Sequence, residues 1–131
     1  MTGVADTRLL LALEFPPDED SRNRVRALLQ RELAGRLLAP SVIMAEYVKH
    51  AGPKIGKDSA RTRIARLKEE GMRIVPLGEQ EAFAAGELLL ANHDAPMADA
   101  LVASLVTSGR GQYVVSDDPH FRSMGVKSKW F

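Results

Sequence analysis

Along the chain, apolar runs of strand length alternate with longer stretches whose apolar residues recur at helical spacing. Gly3-Val4-Ala5 stops on Asp6, and the strong helix formers Arg8 to Leu13 follow, which predicts strand, turn and helix with Asp6 at the junction. Phe15-Pro16-Pro17 ends that helix, because a proline disfavours the helical state of the residue before it. Asp18 to Ser21 then opens an amphipathic helix through about Leu33, with Val25, Leu28, Leu29 and Leu33 as its apolar stripe and Gly35 as its stop. Leu37 to Pro40 reads as a second buried strand, and Ser41 as the cap of a mostly apolar helix from Val42 to His50. Gly52 to Gly56 reads as a loop. A basic helix from Asp58 to Glu70 turns Ala60, Ile64 and Leu67 inward and leads to a third strand, Met72 to Leu77. A helix over Glu79 to Asn92 is broken from the next by Asp94-Ala95-Pro96, with Pro96 suited to a helix start. Strand four is Tyr113 to Ser116, followed by a turn from Pro119 to Met124 and a candidate edge strand from Val126 to Phe131.

Strands separated by helices need crossover connections, which implies a parallel sheet covered on both faces. The expected architecture is a three-layer α/β fold with a central parallel sheet of four to five strands. With no linker, repeat or low-complexity tract, residues 1–131 read as one domain. Apolar residues at 45% and charged residues at 27% exclude a disordered chain. No apolar run approaches the roughly 20 residues of a membrane span, and Asp6 ahead of the leucines does not suit a secretory signal. The absence of cysteine excludes a disulfide framework, a thiolate zinc site and a cysteine nucleophile. A cytoplasmic protein without a membrane partner is expected.

Four acids carry the candidate chemistry. Asp6, Asp99 and Asp118 each fall on a strand end or a helix start, at the rim where open α/β sheets bind ligands. Glu46 lies inside a largely apolar helix, where an unpaired charge is costly. Singly, each has an ordinary role: Asp6 caps the first helix, Asp118 caps the turn begun by Pro119, Asp99 suits a helix N-terminus, and Glu46 pairs with Lys49 or His50. Together at one rim they would repel unless a cation sat between them. Hard divalent ions take oxygen ligands, and such sites bind phosphoryl oxygens and activate water. Zinc is not expected, since His50, His93 and His120 show no metal-binding spacing. Asp117 and Asp118 compete for the fourth place, because residues along a strand alternate sides; a bend after Ser116 would exchange them.

A phosphodiester substrate also needs cations. From Lys49 to Lys68 stand Lys49, Lys54, Lys57, Arg61, Arg63, Arg66 and Lys68 against Asp58 alone, a local surplus of +6 in a chain whose net charge is +1. That asymmetry is the footprint of a nucleic-acid surface, and a solvated helix face is its plain alternative. Gly52 to Asp58 fails as a phosphate loop: three residues separate its glycines, Asp follows the lysine, and a helix precedes it. Ser41, Ser104, Ser108 and Ser116 lie in no nucleophile elbow. A phosphoacceptor domain would need an Asp at the end of strand three, and Met72 to Gly78 contains none.

With these residues in view, the chain resembles the PIN-domain nucleases, in particular the short VapC-like toxins. Val4-Ala5-Asp6-Thr7 resembles the first family motif, Ser41 to Glu46 the second, Ala98 to Ala103 with Asp99 the third, and Val114 to Phe121 the fourth. The resemblance implies Asp6, Glu46, Asp99 and Asp118 as metal-binding and catalytic acids, supported by Thr7, Ser116 and Asp117. It also implies Mg²⁺- or Mn²⁺-dependent cleavage of RNA, a homodimer and an antitoxin partner. Arg8 departs from the small polar residue common after the family's Asp-Thr. Some family members have little activity, so an RNA- or partner-binding module is the alternative reading.

Overall fold

The computed structural model describes residues 1–131. Five strands, β1 (Thr2–Ala5), β2 (Arg36–Pro40), β3 (Arg73–Val75), β4 (Tyr113–Val115) and β5 (Ser128–Lys129), form one sheet ordered β3-β2-β1-β4-β5. All four pairings are parallel. Seven helices link them: α1 (Thr7–Glu14) and α2 (Glu19–Ala34), α3 (Val42–Ile55) and α4 (Lys57–Glu69), α5 (Glu79–Ala91) and α6 (Met97–Thr107), then α7 (Pro119–Ser123) before β5. Every strand-to-strand connection thus passes through at least one helix, as parallel pairing requires. The expected three-layer α/β architecture is what the chain adopts.

The central strands are buried on both faces, which explains why they read as unbroken apolar runs. Val4, Ala5, Ala39, Val114 and Val115 are fully buried. Strand alternation then decides which helix each residue meets. Gly3 lies under α2, where a Cβ would come within 2.9 Å of Glu32 Oε1 and 3.0 Å of the Tyr113 ring. Val4 faces the opposite way, and its methyl would stand 2.5 Å from a Cβ on Gly111, just beyond α6. A side chain at Gly111 would displace Val4, and one at Gly3 would press on the Glu32 carboxylate and the Tyr113 ring. At the amino end of the sheet the buried Glu32 carboxylate accepts the Tyr113 hydroxyl, with Oε2 at 2.7 Å, and fastens α2 to β4. Burial first, and then that hydrogen bond, push the Tyr113 phenol above its ordinary pKa.

Three local expectations need correction. The stretch from Gly52 to Gly56 is not a loop: α3 continues through Pro53 to Ile55, and the break comes at Gly56 with φ +85°. Ala51 is fully buried, Ile55 packs on the core, and Lys54 lies 4.7 Å over the Phe15 ring, so tertiary contact holds the turn despite the proline. Ser41 does not cap α3; its hydroxyl instead accepts the Leu77 N–H at 3.3 Å, tying the start of α3 to the exit of β3. The edge strand is only Ser128–Lys129, after which Trp130 and Phe131 stack with ring centroids 5.2 Å apart. No helix is long and apolar enough to cross a membrane.

Candidate metal centre

From the middle of the sheet the chain leaves β1 towards β2 and leaves β4 towards β5, in opposite directions. The crevice between β1 and β4 at their carboxyl ends is thus a topological switch point, where open α/β sheets bind ligands. Asp6 follows β1 there, and Ser116, Asp117 and Asp118 follow β4. The first turn of α6 delivers Asp99, and the middle of α3 delivers Glu46.

Asp6 occupies the N-cap position of α1 but makes no cap hydrogen bond; only 2% exposed, it accepts the Ser116 hydroxyl at 2.7 Å instead. Glu46 makes no ion pair with Lys49 or His50, and its Oε1 accepts the Thr7 hydroxyl at 2.6 Å. Asp99 is buried in the first turn of α6. Asp118 is the exception, since it does cap α7 by accepting the His120 N–H at 2.9 Å. Its own N–H donates to Ser116 Oγ at 3.0 Å, so one serine hydroxyl connects Asp118 to Asp6.

Electrostatics records the convergence. Burial is the main cause that raises Asp99 to about 7, followed by the charges of Asp118 and Asp6 and, more weakly, Glu46; His120 opposes the shift. Asp6 is raised to about 6, again mainly by burial, with Glu46 and Asp118 adding repulsion and the Ser116 hydrogen bond offsetting part of it. Four carboxylates from four separate segments therefore sense one another. Desolvated acids that hold protons into the neutral range suit a hard divalent cation, whose charge would replace those protons.

Asp117 points elsewhere. Its two oxygens take Arg8 Nε at 2.8 Å and a terminal Arg8 nitrogen at 3.0 Å, and this pairing holds the Asp117 carboxyl below its usual range. Of the two competitors for the fourth place, Asp117 is thus taken up in a bidentate pair. Arg8, the one residue of the first motif that departs from pattern, is its partner.

Sequence reading missed His120. Its Nδ1 lies 2.8 Å from Asp118 Oδ1 and 3.2 Å from Asp99 Oδ2. Asp99, Asp118 and His120 each offer one donor atom, all within 4.8 Å of one another. The available signal was the Asp-Pro-His spacing across a short helix start, which is too common to stand out.

The basic stretch does not form a single face. Arg61 and Lys68 line a depression between α3 and α4, whereas Arg63 and Arg66 lie by Leu10, Glu14 and Tyr47. Arg63 is also engaged, with Nε 3.0 Å from Glu14 Oε2. Lys54 joins Arg8, Asp117, Phe15, Trp130 and Phe131 around a groove of about 550 Å³. Lys49 and Lys57 are exposed.

Residues 4–127 match the PIN domain family. The chain belongs to that family. The matched span takes in all four acids of this PIN domain, from Asp6 to Asp118. Solved structures share the fold at low identity. A Mycobacterium tuberculosis toxin that cleaves the sarcin–ricin loop, VapC20, has a TM-score of 0.77 at 16% identity, covering 96% of each chain. VapBC2 from Rickettsia felis, bound to promoter DNA, gives 0.74 at 15% identity over 99% of this chain and 98% of its own. FitAcB from Neisseria gonorrhoeae gives 0.72 at 17% identity over 98% and 96%. Among curated proteins there is no sequence match.

Proposed function

We propose that this PIN domain is a divalent-metal-dependent ribonuclease, the toxin of a toxin–antitoxin pair. The observation that carries the reading is the meeting of Asp6, Glu46, Asp99 and Asp118 at one crevice, the first and third of them buried, with Asp6 raised to about 6 and Asp99 to about 7. Such a set is unfavourable alone and favourable around a cation. These four residues hold Mg²⁺ or Mn²⁺, and an ion there supplies charge for the scissile phosphate and acidity for the attacking water. Ser116 and Thr7 orient the Asp6 and Glu46 carboxylates by donating hydrogen bonds to them. Asp117 keeps the Arg8 guanidinium out of the cluster, at its edge.

RNA is the substrate, and Lys49, Lys54, Lys57, Arg61 and Arg66 supply the positive field for its backbone, while Arg63 is held by Glu14. The resemblance in fold to a toxin–antitoxin complex from Klebsiella pneumoniae supports an antitoxin as a protein partner. A homodimer would cover the exposed apolar side chains of Phe83 and Leu90 on α5 and Met97 at the start of α6, which are 68%, 74% and 63% exposed. The setting is the cytoplasm, and residues 1–131 act as one domain.

The test is cleavage of structured and single-stranded RNA by purified protein across a titration of Mg²⁺ and Mn²⁺, with a chelated control. Cleavage is expected to rise with metal and to vanish on chelation. RNA binding without cleavage at any metal concentration would establish the binding-module reading instead.

A further inference from the structure

The ring of His120 sits in the centre for a local reason. Phe121 is fully buried and pins α7 against the core, Pro119 begins the helix, and Asp118 accepts the His120 N–H at 2.9 Å. These constraints fold the imidazole back over the carboxylates, with Nδ1 2.8 Å from Asp118 and 3.2 Å from Asp99. Yet Nδ1, shielded from solvent, has hydrogen-bond geometry to neither oxygen. A buried nitrogen aimed at no single acceptor costs free energy unless something else engages it. Meanwhile the side chain is 43% exposed, so the packing of the core does not force the ring into this position.

We propose that His120 Nδ1 is a ligand of the divalent-cation centre, beside Asp99 and Asp118, which makes it a mixed nitrogen–oxygen site that favours Mn²⁺ over Mg²⁺. The inference rests on the reading that these carboxylates hold a divalent ion. It adds a donor that an all-carboxylate centre lacks. Three donor atoms within 4.8 Å of one another can share one ion. Mg²⁺ prefers oxygen ligands and retained waters, whereas imidazole suits transition ions. A plain hydrogen bond to Asp118 would aim the ring N–H along the 2.8 Å contact, and it does not.

Manganese itself is the probe. Pulsed electron paramagnetic resonance of the folded protein loaded with MnCl₂ reads nitrogen nuclei coordinated to Mn²⁺, and calorimetric titration reads Mn²⁺ and Mg²⁺ affinity, both without RNA. Directly coordinated ¹⁴N is expected in the wild type and lost in His120→Ala. Mn²⁺ affinity should fall about tenfold or more in that variant, the scale on which even supporting groups at metal sites act. Mg²⁺ affinity should change far less. Saturable Mn²⁺ binding with no coordinated nitrogen in the wild type overturns the assignment and leaves the carboxylate centre intact. Persistence of the ¹⁴N signal in His120→Ala overturns it too. Absence of any saturable Mn²⁺ binding overturns both this inference and the metal-centre reading. The wild-type spectrum decides the matter even if the variant folds poorly.

Discussion

Ser116 Oγ donates to Asp6 Oδ2 over 2.7 Å, although 110 positions separate the two residues in sequence. The bond spans the crevice between the carboxyl ends of β1 and β4. It sets the orientation of the most buried acid in the cluster and partly offsets the cost of its burial. Replacement of this hydroxyl tests whether the orientation matters. Ser116→Ala should weaken divalent-ion binding by roughly 10–100-fold, as loss of a supporting partner does at metal sites. It should also push the Asp6 carboxyl further up, since a hydrogen bond that favours its ionised form is gone. Calorimetric Mn²⁺ titration of both proteins at pH 7.5 measures the first effect; equal affinities would count against the role given to Ser116.

Asp99 links acidity to stability. Its carboxyl is raised to about 7 and that of Asp6 to about 6, from an ordinary value of 3.8. Between about pH 4 and pH 7 the native protein therefore binds more protons than the unfolded chain. The sign follows: these two groups favour the metal-free fold most at the acid end, and that contribution is lost as pH rises through 6 and 7. Asp99→Asn should raise the unfolding midpoint of the metal-free protein at pH 7.5 and reduce its fall from pH 5 to 7.5, while abolishing metal-stimulated RNA cleavage. Thermal unfolding with chelator across that range is the measurement. A variant less stable than wild type at pH 7.5, or one that still cleaves RNA at the wild-type rate, would sink the assignment.

Asp117 and Asp118 should separate cleanly. Asp118→Asn removes an anionic partner of the cluster and should raise the Mn²⁺ concentration needed for activity. Asp117→Asn should change that requirement little, because its oxygens are taken by Arg8. The pair is substantially exposed, so its loss should cost no more than about 1 kcal/mol of stability. A larger metal defect in the Asp117 variant would move the fourth acid by one position.

For RNA binding, the cations should differ by position. Lys54 is exposed on the groove beside Arg8, while Arg63 is already paired with Glu14. Lys54→Ala should lower the slope of log affinity against log salt by about 0.7, the value for one contact to a single-stranded phosphate. Arg63→Ala should leave the slope nearly unchanged. Filter binding of a non-cleavable single strand across a salt series distinguishes them, and the reverse ranking would show that RNA runs along α4 on its α1 side.

At the opposite end of the sheet, Tyr113→Phe strips the buried Glu32 carboxylate of its hydroxyl donor. A loss of about 1–3 kcal/mol is expected for a buried acceptor left unpaired. Metal affinity should not move, because this pair lies across the sheet from the acid cluster. Urea denaturation with a parallel Mn²⁺ titration checks both halves.

Much of this protein is determined by sequence alone. Apolar runs of strand length separated by helical periodicity require crossovers, and crossovers require a parallel sheet covered on both faces. The convergence of the candidate acids was legible for the same reason: Asp6, Asp99 and Asp118 stand where elements change, and such junctions gather at one sheet rim. Local rules failed where distant contacts outweighed them. Pro53 sits inside α3 because Ala51 and Ile55 are anchored in the core, and Ser41 Oγ accepts the Leu77 N–H instead of capping its helix. Helical periodicity marks a stripe but not what covers it, so it could not foretell that Phe83 and Leu90 would lie exposed on α5. Tertiary structure alone decided that Asp117 turns to Arg8 and Asp118 to the cluster, since a one-residue choice at a strand end depends on the partner across the fold. It alone brought in His120, whose ring reaches Asp99 only because α7 folds back against the first turn of α6.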